Sequence, residues 1–328
     1  MYIMSAATLS TSLGLPLASC SAVGSAMCDV GRKRLMKDGL DAATIVASVC
    51  LIEGLVGVLY FLATTGSMPL PGQDFWLPAL AAAAASALTT SLLAKANSEN
   101  DISLCAPFSA ALPVLQLLVT TFLLRDEAAL PARKVAGVCI VTGSAMWLAR
   151  AGRRSTAKGV AVPLLPPGAA TVLFCCLVQS FSTKLDQSAT KAAGSPIVYL
   201  VYAKTLSGLW ATCGAQLLSA RGARGKEEGA DAGKGAGRGA SRRTLALLGS
   251  QPRLLLLLLG VTAMEAIYMS CYFASLGIGF SKVYVVAIKK GGNLLVNSVG
   301  GWVLFGESHE GRVGPVLGVV AGVVIMSV

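Results

Sequence analysis

Apolar stretches of about 20 residues, nearly free of charge, recur along the whole chain and are separated by short polar or basic connections. A helix that crosses a hydrocarbon core needs about that length, so the pattern predicts roughly ten spans. They run over 9 to 30, 42 to 64, 75 to 94, 102 to 124, 132 to 149, 163 to 183, 196 to 219, 254 to 275, 282 to 305 and 313 to 328. Between the seventh and eighth, residues 221 to 243 are rich in Gly, Ala and Arg with almost no bulky apolar side chains. Too little surface can be buried there to fold, which predicts a disordered loop.

The polar punctuation repeats. A displacement of 180 residues sets Phe305-Gly306-Glu307 against Arg125-Asp126-Glu127. Each acidic turn closes a long apolar span and precedes a Gly- and Val-rich final span, Val135-Ala136-Gly137-Val138 in one half and Val316-Leu317-Gly318-Val319 in the other. Residues 1–150 therefore read as a first five-helix repeat, 151–162 as a linker and 163–328 as a second repeat. Five is odd, so the second repeat crosses in the opposite sense to the first, and inverted repeats place a solute site near the midplane between them.

Composition agrees with this class. The chain is 54% hydrophobic and 13% charged, with a mean hydropathy of +0.68, which excludes an ordinary water-soluble domain. Its nine cysteines lie in apolar stretches without zinc-ligand or disulfide-framework spacing, and the single histidine, His309, stands in a polar connection. No metal site, no cofactor and no catalytic triad is expected, and the chain does not read as an enzyme. The net charge of +11 resides in connections, at Arg32 to Lys37, Arg150 to Lys158 and Arg221 to Arg253, and no aromatic residues interleave with it. It is a topology signal rather than a nucleic-acid site. The positive-inside rule then places the N-terminus away from the cytosol.

Ionisable side chains inside such spans cost a few kcal/mol each and need a partner, a wet cavity or a function. Glu53, Lys204, Glu265, Lys289 and Lys290 all qualify. Lys289, Asn293 and Asn297 follow at i, i+4 and i+8, one above the other on a single helical face. That face should line a cavity in which ammonium and carboxamide groups hold an anionic group. The alternative is that the lysines reach toward the interface or pair with Glu265 or Glu53 for packing. Glu265, Tyr268 and Tyr272 share a face at i, i+3 and i+7, and burial of a carboxyl favours its neutral form, so Glu265 is a candidate for proton exchange or for an ion pair. Gly314, Gly318 and Gly322 repeat small-xxx-small spacing, a close-packing face for another helix or for a homodimer.

Ten spans in two five-span halves, each closed by an acidic turn and a glycine-rich final span, resemble the drug/metabolite transporter superfamily, and its EamA-like members in particular. The closest stretches are Tyr284-Val285-Val286-Ala287-Ile288-Lys289-Lys290 and Trp302-Val303-Leu304-Phe305-Gly306-Glu307. In the first half, Arg125-Asp126-Glu127 replaces the usual Gly-Glu. The resemblance implies an all-α integral membrane carrier with a central cavity, working by alternating access, with both termini in the cytosol. It also implies that Lys289 and Lys290 bind an anionic group. The expected function is secondary transport of a small anionic or zwitterionic metabolite through a multi-pass membrane protein. Lys204, Lys289, Lys290, Asn293, Asn297, Tyr268 and Tyr272 would bind the solute, while Glu53 and Glu265 would couple protons or form ion pairs. A non-transporting scaffold or an intramembrane lipid-modifying enzyme are the alternatives.

Overall fold

The structure is a computed structural model and describes residues 6–99, 108–109, 112–119, 132–156, 168–227, 251–277 and 282–305, and from the last stretch 314–315, 317–318, 321–322 and 325. The described residues are helical, with no strand among them: α1 Ala6–Lys37, α2 Ala42–Thr65, α3 Gln73–Glu99, α4 Leu112–Leu118, α5 Ala132–Thr156, α6 Ala169–Ala192, α7 Pro196–Glu227, α8 Pro252–Gly277 and α9 Lys282–Phe305. Gly314, Gly318 and Gly322 are helical as well. The acidic turns at Arg125-Asp126-Glu127 and Gly306-Glu307 lie outside the described residues.

Local signals set the clearest boundaries. Asp41 caps α2, its carboxylate accepting from the backbone N–H of Ala43 at 3.0 Å and Thr44 at 3.2 Å. Gly66 closes the same helix at φ 75°, a left-handed conformation that glycine adopts without a Cβ clash, and its N–H donates to the Leu62 carbonyl. Two ends differ from expectation. α1 continues past residue 30 to Lys37, with Arg32 and Lys33 buried rather than lying in an exposed connection. α7 runs through 221–227, the start of the predicted disordered loop. Extending an existing helix needs no new nucleus, and Arg, Ala, Lys and Glu are good helix formers. The rest of that loop, 228–243, lies outside the described residues.

Four helices are long and apolar enough to cross a membrane among the described residues: Leu13–Lys37, Ala42–Thr65, Gln73–Glu99 and Pro252–Ser275. The surfaces of the described helices are inverted relative to a water-soluble bundle. Leu55, Leu77 and Leu256 are 59%, 79% and 68% exposed, while Lys204 and Glu265 are 7% and 3% exposed. Water selects the opposite distribution, and hydrocarbon selects this one.

The chain forms two compact units, and each takes segments from both halves of the sequence. One comprises 31–95 and 182–263. Within it α2 and α7 pack antiparallel: Ala47 shares a core cluster with Ala211, Leu51 meets Gly208, Gly54 meets Thr205, Gly57 meets Val201, and Phe61 clusters with Val198. Glycines on both helices let the backbones approach closely. A Cβ at Gly54 would lie 3.1 Å from the Thr205 backbone, so Gly54→Leu is expected to destabilise the protein by about 1–3 kcal/mol through overpacking. Thermal unfolding in detergent checks this, with Gly72→Ala as the control, since a Cβ at Gly72 meets nothing within 4 Å.

The other unit comprises 1–30, 96–181 and 264–328. Here α1 and α9 run parallel, as Ala18 clusters with Val285 and Ile288, Gly292 abuts Ala22 and Gly300 faces Val30. α8 approaches α1 at Gly24, where a Cβ would stand 2.7 Å from the Tyr268 Cβ. The glycine seam of the last stretch packs antiparallel on α5: Gly314 against Trp147, Gly318 against Ser144, Gly322 against Val141. That seam is therefore taken up by close packing within one chain.

Candidate functional site

The ionisable residues singled out by the sequence fall into two groups, one in each unit. In the α2–α7 pair the Lys204 ammonium meets the Glu53 carboxylate at 2.7 Å, both side chains being buried. The glycines that bring the two helices together also bring these two groups into contact, since Gly54 and Thr205 are their immediate chain neighbours. Each charge compensates the other in a surrounding that would expel either alone.

The second group is larger. Lys289 of α9 projects its ammonium over two rings of α8, 4.5 Å from the centre of Tyr268 and 5.0 Å from that of Tyr272. A cation over two phenol faces is stabilised by the ring quadrupoles, and the effect grows as water is excluded. Glu265, buried one turn before Tyr268, completes the predicted α8 triplet. Lys290, the next residue of α9, is partly buried.

One turn and two turns beyond Lys289, the asparagines meet a residue that the sequence reading missed. Asn293 Nδ2 donates to Ser25 Oγ at 3.1 Å and to Asp29 Oδ2 at 3.1 Å. Asn297 Nδ2 donates to Asn293 Oδ1 at 2.6 Å and to the same Asp29 oxygen at 3.5 Å. Asn293 and Asn297 are 4% and 2% exposed. Asp29 was legible as an acidic residue at the edge of an apolar stretch, but the basic run after it looked like the end of the span. Because α1 continues to Lys37, Asp29 stands more than two turns inside the helix.

No protein-family model and no curated protein matches the chain. Among the solved structures that share its fold is one crystal structure. It aligns over 98% of this chain and 97% of its own length at a TM-score of 0.58, with 16% sequence identity. At that identity the likeness concerns the path of the chain, and the chemistry rests on the residues above.

Those residues provide a cation over two aromatic rings and a carboxylate bound by two carboxamides, linked along one face of α9.

Proposed function

We propose that the protein is a secondary transporter of a small anionic or zwitterionic metabolite, embedded as a multi-pass protein in a membrane and related to the EamA-like drug/metabolite transporters. The observation that carries the reading is Lys289, an ammonium held over Tyr268 and Tyr272 between helices whose outer faces are apolar. A charge kept inside a span at a cost of several kcal/mol marks a solute or ion path by default. An anionic group on the solute would compete with the two rings for the Lys289 ammonium, and Tyr268 and Tyr272 would then donate their hydroxyls to it.

An inverted pair of five-helix repeats is supported by the packing of the helices that would be equivalent. α2 and α7 are antiparallel, and so are α5 and the Gly314–Gly322 seam, as a twofold axis in the membrane plane demands. The composition of the units points the same way: displacements of 151 and 168 residues carry Gly31 to Ser182 and Lys95 to Ala263, the limits of the two segments of one unit. The parallel run of α1 with α9 agrees with an even number of crossings from one to the other. In this reading the buried Glu53–Lys204 pair holds the α2–α7 seam closed in one state, and Glu53 and Glu265 are the residues that couple protons or form ion pairs.

A stability screen of the detergent-solubilised full chain tests the proposal. Amino acids, sugar phosphates, nucleotide sugars and organic acids are added in turn, and a solute that binds the folded state raises the unfolding midpoint by mass action. One class bearing an anionic group is expected to do so. A rise with neutral or purely cationic solutes alone would overturn the assignment of Lys289 to the cargo.

A further inference from the structure

We propose that Asp29, together with Asn297 and Ser25, forms a site for a small monovalent cation, either Na+ or an ammonium group of the cargo. The ammonium alternative rests on the transport reading above; the Na+ alternative does not.

Hydrogen-bond accounting carries the inference. Each carboxamide has two N–H donors. Those of Asn293 go to Ser25 and Asp29, and those of Asn297 go to Asn293 and Asp29. All four are engaged within the chain. Flipping either amide would set a carbonyl oxygen against the carboxylate, so the orientation follows from the network. The asparagines thus donate within the chain in this structure. What they present is acceptors: Asn297 Oδ1 is buried and meets no hydrogen-bond donor among the described residues. A seam of carboxylate, carbonyl and hydroxyl oxygens is the ligand set of a hard cation, and equally of an ammonium with its three donors. Lys289 lies one turn from Asn293 on α9, so a cation at Asp29 and an anion at Lys289 would bind side by side.

The experiment follows the unfolding midpoint of the purified full chain while sodium chloride or methylammonium chloride replaces N-methyl-D-glucamine chloride at constant ionic strength. A saturable rise is expected with one of the two. A rise with sodium alone identifies a free ion, and a rise with methylammonium alone identifies the ammonium of the cargo. Asp29→Asn should weaken the apparent affinity at least ~10-fold, while Asp74→Asn, at an exposed position, should not change it. The wild-type titration stands even if Asp29→Asn does not fold. No saturable rise with either cation, or an equal rise in Asp29→Asn, would overturn the site. Cation binding without any solute flux would instead count against transport and leave the site standing.

Discussion

Lys204→Met is expected to destabilise the folded chain by about 3–5 kcal/mol, the cost of leaving the Glu53 carboxylate buried without its partner. The pair is short, at 2.7 Å, and both side chains are shielded between α2 and α7, which Gly54, Gly57 and Gly208 draw too close together for water to enter easily. Removing both charges should act differently. A Glu53→Gln and Lys204→Met double variant keeps the shape of the contact and abolishes the charge, so most of the loss is expected to return. Unfolding of the two single variants and the double variant in one detergent gives the coupling directly. A double variant as unstable as the sum of the singles would show that the two side chains matter for packing and not for each other.

Lys289→Ala is expected to weaken the binding of the stabilising solute by about 10- to 100-fold, the value of one hydrogen-bonded charge at about 1.5–3 kcal/mol. The fold should tolerate this change better than the loss of Lys204, because Lys289 is only partly buried, whereas Lys204 is 7% exposed and paired with the buried Glu53. Lys289→Arg should retain part of the affinity, since the charge persists and a guanidinium stacks on phenol rings. The measurement is the concentration of solute that gives half of the maximal rise in unfolding midpoint, compared among the three proteins. Equal values would remove Lys289 from the cargo.

How much of this was legible in the sequence depends on which force set each feature. α9 spans Lys282–Phe305, as its long apolar run predicts, and α2 lies between two local signals, Asp41 and Gly66. The spacing of Lys289, Asn293 and Asn297 was readable because it depends only on helical pitch. What α9 faces depends on the register between distant segments, which periodicity does not encode. Hence Asp29 and Ser25, more than 260 positions away, escaped notice although they accept hydrogen bonds from Asn293 and Asn297. The same limit applies to Lys204 and Lys289, which the sequence reading grouped as solute ligands and which fall in different units. Arg32 and Lys33 misled in another way: charge ordinarily marks the end of a span, but here α1 carries them on as buried residues to Lys37.

Solute flux through the reconstituted protein bears most directly on the central claim. Vesicles containing the full chain, preloaded with the solute that stabilises it, would be assayed for exchange with labelled solute outside, beside vesicles holding Lys289→Ala and vesicles without protein. The account predicts saturable exchange by the wild-type chain and a rate close to that of empty vesicles for Lys289→Ala. Exchange by the wild type no faster than in empty vesicles, with binding intact, would contradict it.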